Sequence, residues 1–96
     1  MGFKKLRGVR LSEEKQGAVR FVCLTYADQP KQIQEKITRL CDKYGGAYSD
    51  ALFEVMTTRR SVVSVAMEYY ISENTLYRAR RKFYENWFKK TAQKGG

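Results

Sequence analysis

An apolar stripe over residues 31–44 constrains the fold of this chain more than any other feature. Five residues fall on one face at helical spacing: Ile33, Ile37, Leu40, Cys41 and Tyr44. Pro30 suits the first turn of such a helix, and the pair Gly45-Gly46 is a helix-stop signal. The pattern predicts an amphipathic helix that buries one face and leaves its charged residues in water.

The other segments predict further helices. Ser12 before Glu13 and Glu14 is typical of a helix start, with a capping oxygen and acids in the first turn. Residues 18–26 leave two structures open, because their apolar side chains fall at helical spacing but are rich in β-branched and aromatic types. Helix is favoured there, since no second strand candidate exists to pair with. Ser49 is predicted to cap a third helix whose buried side is supplied by Ala51, Leu52, Val55 and Met56. A fourth helix is predicted to start at Thr58 or Ser61, and Ser72 is predicted to cap the fifth.

These segments together predict an all-α fold, a compact bundle of about five helices with a C-terminal helix-turn-helix and a long recognition helix. Residues 1–10 are predicted to be a flexible basic arm, and residues 91–96 a flexible tail. The single domain between them covers residues 11–90. Within it, residues 11–58 provide supporting helices and residues 59–90 form the helix-turn-helix.

Positive charge is concentrated at the two ends of the chain. The 96 residues carry 19 Lys and Arg against 10 Asp and Glu, a formal net charge of +9. Residues 1–10 hold four basic side chains and no acid, and residues 59–96 hold nine basic and three acidic ones. A solvated lysine-rich surface would give the same total. A one-sided excess is nevertheless what a polyanion-binding protein needs, because neutralising phosphates releases counterions.

The residue types that are missing argue against several functions. The chain has no histidine and two cysteines, so histidine-based catalysis and histidine-bearing zinc sites are excluded. Cys23 and Cys41 are expected to be small buried hydrophobes, with a disulfide as the alternative. We therefore expect no enzyme activity, no catalytic residue, no metal and no cofactor. No apolar run approaches the ~20 residues of a membrane span, and a cytoplasmic protein without a membrane partner is predicted.

The stretch VAMEYYISENTLYRARR, residues 65–81, has the spacing of a helix-turn-helix. Ala66 provides a small residue where two helices would cross, Ser72 caps the second helix, and Leu76 anchors that helix inward. Tyr70 stands in the turn where glycine is usual. It must either adopt a left-handed backbone or reshape the turn. The recognition helix is predicted over residues 73–90.

The predicted recognition helix presents a set of polar side chains away from its apolar stripe. Four are predicted to contact DNA bases: Asn74, Tyr77, Arg78 and Arg81. Five are predicted to contact phosphates: Arg59, Arg60, Ser72, Thr75 and Lys82. An amide can pair with adenine and an arginine with guanine, whereas phosphate contacts position the protein without reading sequence. A solvated helix face is the alternative for each residue. Phe83 and Trp87 are expected to pack in the core.

Two longer motifs carry a resemblance to a protein family. ALFEVMTT at residues 51–58 and SENTLYRARRKFYENW at residues 72–87 resemble a group of short proteins of bacterial mobile elements and prophages. The resemblance covers about residues 11–88. Phage transcriptional activators and the promoter-reading region of sigma factors are similar in the helix-turn-helix part. The resemblance implies binding to double-stranded DNA, with a role in transcription or another step of element maintenance.

Three functions therefore remain open at the level of sequence. The first is a sequence-specific DNA-binding regulator of a phage or mobile element. The second keeps DNA binding but places it in packaging, as a small terminase subunit, or in recombination. The third is an adaptor that binds RNA polymerase. The oligomeric state is also open, and a homodimer would allow two half-sites to be recognised.

Overall fold

The computed structural model describes Leu6 and residues 8–89 of the chain. These residues form α-helices and short 3₁₀ turns, with no strand among them. The helices are α1 (Glu13–Leu24), α2 (Lys31–Gly45), α3 (Ser49–Thr57), α4 (Val62–Tyr69) and α5 (Glu73–Trp87), with 3₁₀ turns at Tyr26–Asp28 and Gly46–Tyr48. The prediction of an all-α, compact fold is confirmed. The uncertain segment 18–26 is helical through Leu24 and continues into the first 3₁₀ turn.

Serine side chains begin three of the five helices: Ser12, Ser61 and Ser72. Each hydroxyl oxygen accepts a hydrogen bond from a backbone N–H two or three residues later, at 3.2, 3.0 and 3.1 Å in that order. Such a cap satisfies an N–H that the helix itself leaves without a partner. The predicted cap at Ser49 is wrong. Ser49 is already the first residue of α3, because the preceding 3₁₀ turn leads the chain directly into that helix.

The end of α2 depends on glycine. Gly46 follows the helix with φ 53° and ψ −123°, a conformation that side chains disfavour. Gly45 lies against α3, where an added Cβ would come within 3.3 Å of the Leu52 Cβ. The glycine pair therefore ends α2 and lets α3 approach it closely, as the helix-stop signal predicts.

One apolar core joins all five helices. The four residues predicted to face inward from α3 are buried: Ala51, Leu52, Val55 and Met56. Helix α5 contributes the largest buried side chains, with Phe83 stacked on Trp87 at 5.8 Å between ring centroids. Cys23 and Cys41 are free thiols inside this core, as expected of small hydrophobes. Because the large apolar side chains of α5, such as Phe83 and Trp87, face this core, the outer side of α5 is left to polar residues.

Arg20 of α1 forms hydrogen bonds that connect α1 to the end of α3. Its Nη1 donates hydrogen bonds to the carbonyl oxygens of Val55 at 2.8 Å and Met56 at 3.0 Å. Its Nη2 donates to the carbonyl oxygen of Thr58 at 2.8 Å. The last carbonyls of a helix lack partners within it and carry partial negative charge. One guanidinium therefore replaces the hydrogen bonds that α3 loses where it ends.

The start of the described chain packs against the domain, unlike the flexible arm predicted over residues 1–10. Val9 is buried against the core. Gln16, also buried, accepts a hydrogen bond from the Leu6 N–H at 2.8 Å and donates one to the Leu11 carbonyl at 3.1 Å. The Arg10 N–H donates to a Glu85 carboxylate oxygen of α5 at 3.0 Å. The rest of the predicted arm, residues 1–5 and 7, lies outside the described residues.

Helix α5 is shorter than predicted. It ends at Trp87 instead of continuing to about residue 90. The Lys89 N–H donates to the Asn86 carbonyl in a tight turn, so the regular helical hydrogen bonding stops there. The predicted tail over residues 91–96 lies outside the described residues. Within the part of the chain that is described, no helix is both long and apolar enough to cross a membrane.

Candidate nucleic-acid interface

Helices α4 and α5 are joined by a three-residue turn, Tyr70 to Ser72. The Tyr70 N–H donates to the Met67 carbonyl at 3.3 Å, and the Ile71 N–H donates to the Ala66 carbonyl at 3.0 Å. These two bonds form the Schellman motif that ends many helices. Tyr70 occupies its left-handed position with φ 57° and ψ 44°. Of the two alternatives that the sequence leaves open, the structure adopts the left-handed backbone.

The packing of this helix pair follows the predicted spacing. Ala66 and Leu76 are both buried, and Ile71 is partly buried against the core. Ser72 lies at the solvent-facing start of α5. The first helix and the turn therefore hold the N-terminal half of α5 at the surface, with one side of that helix turned to water.

The predicted base-contact residues share the outward side of α5. Asn74, Tyr77, Arg78 and Arg81 are all exposed, Tyr77 with 40% of its surface. Lys82 is exposed next to them, and Thr75 is partly buried at the edge. The apolar residues of α5 point the opposite way into the core. The helix thus has a mainly polar side toward water and an apolar side toward the core.

The two arginines before α4 lie in different environments. Arg59 is exposed. Arg60 forms ion pairs with Glu68 and with Glu54, the second at 3.5 Å, and donates a hydrogen bond to the Ser64 hydroxyl at 3.0 Å. The hydrogen bond that Arg60 donates to the Glu68 carboxylate is the main reason that the pKa of Arg60 is raised. The structure therefore does not bring Arg60 together with the cations of α5.

A groove of about 240 Å³ flanks α5 on the side of the N-terminal segment. Its lining combines one apolar residue with one aromatic and three cationic side chains: Val9, Tyr77, Arg78, Arg80 and Arg81. Arg80 is partly buried, and its guanidinium lies 5.3 Å from the centroid of the Tyr77 ring. Burial lowers the pKa of Arg80. Helical spacing puts Arg80 beside the inward stripe of α5, so the sequence alone gives no sign that it lines this groove.

A second cationic surface lies on the other side of α5, where α2 packs against it. One groove of about 240 Å³ is lined by Lys36, Arg39, Lys43 and Lys89 together with Leu40, Tyr44 and Asn86. Lys36 places its Nζ 4.1 Å from the centroid of the Trp87 ring. Burial, followed by the charge of Arg39, lowers the pKa of Lys36. The sequence signal for this surface is weak, because these cations simply adjoin the apolar stripe of α2.

The cations on these two surfaces have no acidic partners in the described part of the molecule. Among residues 8–89, the ion pairs are those of Arg60 with Glu54 and Glu68. The same residues contain no group of three His, Cys, Asp or Glu side chains that could hold a metal ion. The exposed side of α5 and its flanks therefore combine uncompensated positive charge with hydrogen-bond donors, which is the chemistry of an anion-binding surface.

Comparison of the chain with protein-family models, with curated proteins and with solved structures gives no match.

Proposed function

We propose that the protein is a sequence-specific double-stranded DNA-binding protein that inserts α5 into the major groove. The observation that carries the proposal is the exposed polar side of α5. Asn74, Arg78 and Arg81 lie on it at positions i, i+4 and i+7, and none of them pairs with a carboxylate among the described residues. Glu85 continues the same row at i+11, where its carboxylate oxygen accepts the Arg10 N–H at 3.0 Å and forms no ion pair with Arg78 or Arg81.

The dimensions of α5 suit this role. The three positions span about 10 Å along a helix axis, which corresponds to about three base pairs of duplex. The major groove is about 12 Å wide and admits an α-helix. An asparagine amide can form two hydrogen bonds with adenine, and an arginine can form two with guanine. Asn74, Arg78 and Arg81 are therefore assigned to base recognition, with Tyr77 beside them.

Phosphate contacts are assigned to the edges of the same side. Ser72 and Thr75 lie at the start of α5, where backbone N–H groups and the helix dipole favour an anion. Lys82 and Arg59 are exposed cations. Arg60 is left out of this set because Glu54 and Glu68 already neutralise its charge. Contacts of this kind fix the position of the helix on the duplex without specifying its sequence.

The test is selection of bound duplexes from random sequence, followed by affinity measurements on Arg78→Ala plus Arg81→Ala. Each lost base contact is expected to cost about 1–3 kcal/mol and to relax the preference at its own base pair. Lys15→Ala plus Lys31→Ala is the matched control, since it removes two exposed positive charges that lie off the exposed side of α5, Lys15 being beside Phe88 just after the helix. If the α5 variant keeps both its affinity and its sequence preference, the assignment of α5 is wrong.

We propose transcriptional regulation in a phage or mobile element as the role of this DNA binding. The support is the resemblance carried by residues 51–58 and 72–87, which implies that role. Packaging and recombination are alternatives that use the same surface. The assembly state separates them, because a small terminase subunit forms a ring, whereas a monomer or dimer fits a regulator. Analytical ultracentrifugation of the full chain measures this directly.

A protein contact is favoured by one observation on α4. Val63, Met67 and Tyr70 form an apolar stripe at helical spacing, and they are 40%, 72% and 94% exposed. A polymerase-binding adaptor would use such a stripe, alone or together with DNA binding. The test is retention of purified RNA polymerase in the absence of DNA, with Met67→Lys as the variant. Equal retention of the wild-type and variant proteins would remove α4 as the contact.

A further inference from the structure

The two grooves between α2 and α5 form one continuous cationic surface. The first is the groove of about 240 Å³ lined by Lys36, Arg39, Lys43 and Lys89. The second, of about 180 Å³, shares Tyr44 with the first and continues along α5 past Arg78 and Lys82. We name this surface the α2–α5 track. Its cationic members come from both helices and the residues after α5: Lys36, Arg39, Lys43, Arg78, Lys82 and Lys89.

Positively and negatively charged side chains of α2 line different grooves. Lys36, Arg39 and Lys43 recur at intervals of three and four residues and line the groove toward α5. Asp42 instead lines a different groove, together with Asp50 of α3. An exposed helix gains a little stability when opposite charges alternate along one side. Glu35 and Asp42 have the spacing for such pairs with Arg39, but neither forms an ion pair with it, and the three like charges stand together beside α5.

The track contains no carboxylate, and none of its cations forms an ion pair with a described residue. Like charges held together repel each other unless an anion lies between them. The Lys36 side chain is also held in place over the Trp87 ring. An extended row of cations, partly ordered in advance, favours a ligand with several regularly spaced negative charges.

We propose that the α2–α5 track binds the phosphate backbone of one DNA strand beside α5. The proposal rests on the proposed function and adds to it a surface contributed by α2. Arg78 and Lys82 belong both to the track and to the exposed side of α5, so one duplex can occupy both. Lys36 to Lys43 covers about 10 Å of helix, or about three nucleotides measured along the axis of one strand.

The test compares the salt dependence of DNA binding for the full-length wild-type protein and Arg39→Gln plus Lys43→Gln. The probes are a duplex recovered from the random-sequence selection and a short duplex of unrelated sequence. Each phosphate contact contributes about 0.9 to the slope of log affinity against log salt concentration. The double variant is expected to lose about 1.8 of that slope. Its affinity should fall roughly tenfold or more at moderate salt, equally on both probes.

Lys15→Gln plus Lys31→Gln is the matched control, because it removes the same charge from residues outside the track. It is expected to change the slope by much less than the track variant. Neither pair is buried in the core, and a thermal unfolding curve of each variant checks that the fold is kept.

The outcomes distinguish this proposal from the function on which it rests. If the wild-type protein selects a sequence and the track variant keeps the full slope, the track proposal is overturned and α5 recognition stands. If binding depends on the track but no sequence is preferred, sequence-specific recognition fails and the track stands. If the wild-type protein binds neither probe, both proposals are overturned. Sequence preference with a reduced slope supports both.

Discussion

Arg20 and Arg78 show two opposite uses of a cation in one small domain. Arg20 lies between α1 and α3 and donates three hydrogen bonds to carbonyl oxygens at the end of α3. Arg78 lies on the exposed side of α5 and lines two grooves that contain no carboxylate. The first guanidinium is satisfied by the fold itself. The second is left with donors that only an outside acceptor or water can satisfy.

The difference extends beyond these two residues. On the α3 side, Arg60 is also neutralised, by Glu54 and Glu68. On the α5 side, the cations of the α2–α5 track are unpaired with any described residue. A high pI alone cannot distinguish these cases, because both kinds of arginine add one charge. Partners within the fold are what separate a stabilising cation from one available to a ligand.

The largest expected effect comes from replacing Arg20. Arg20→Met keeps much of the side-chain length but leaves the carbonyl oxygens of Val55, Met56 and Thr58 without their donor. Hydrogen bonds from a charged group contribute about 1.5–3 kcal/mol each, and partial access of water reduces the total. We expect a loss of about 3 kcal/mol in the free energy of unfolding, measured by urea denaturation.

Arg78→Met is the matched comparison for that prediction. It removes the same group from the exposed side of α5 and is expected to change stability by less than about 0.5 kcal/mol. DNA affinity should show the reverse pattern, unchanged in folded Arg20→Met and reduced in Arg78→Met. A stability loss of similar size in both variants would show that Arg78, like Arg20, stabilises the fold, which would contradict the difference between the two sides.

Alkaline pH provides a smaller test of the core beneath both surfaces, because three buried acids from α1, α2 and α5 titrate there. Burial raises the pKa of Cys23, Cys41 and Tyr84 to about 12 each. A raised pKa stabilises the folded state below the ordinary value, which is 9.0 for the thiols, and that contribution is lost as pH rises toward 12. At pH 10 the expected loss is about 1 kcal/mol per thiol.

The measurement is the change in unfolding free energy between pH 8 and pH 10 for the wild-type protein and for Cys23→Ala plus Cys41→Ala. The difference in slope isolates the thiols from Lys36, whose pKa is lowered by burial and which is present in both proteins. A variant with the same slope as the wild-type protein would mean that the buried thiols do not control alkaline stability.

The helices and the inward residues of this protein follow from local sequence signals. The apolar stripe of α2, the four buried residues of α3 and the caps at Ser12, Ser61 and Ser72 all depend on residues within one or two turns. The spacing from Ala66 through Ser72 to Leu76 has the same local character. The prediction that Ser49 caps α3 is wrong because a 3₁₀ turn precedes Ser49 and makes it the first residue of the helix. The serine alone does not indicate that turn.

The contacts that distinguish the two uses of cations could not be predicted in this way. Arg20 meets the end of α3 more than thirty positions later in the chain, and nothing in its neighbours marks it. Lys36, Arg39 and Lys43 form a surface only because α5 packs beside them. Val9 is buried through the hydrogen bonds of Gln16, so a segment that looks like a free basic arm is fixed to α1.

The smallest expected effect concerns Tyr70, on the solvent-facing side of the α4–α5 pair. A left-handed backbone costs a side-chain-bearing residue about 1–2 kcal/mol, and Tyr70 recovers little by packing, since it is 94% exposed. Tyr70→Gly removes that cost but adds about 0.5–1 kcal/mol of backbone entropy. We expect a net gain of about 1 kcal/mol, seen as a Tm increase of about 4–8 °C.

Tyr70→Ala is the control, because it removes the ring but keeps the Cβ that causes the strain. It should match the wild-type protein in stability. A glycine variant less stable than the wild-type protein would show that the tyrosine ring stabilises the fold. Tyr70 would then have a structural role like that of Arg20, and not a ligand-binding role like that proposed for Arg78. If glycine stabilises and the protein contact made by α4 weakens, the strain is retained for a partner outside the chain. This is the same arrangement by which Arg78 keeps its donors free.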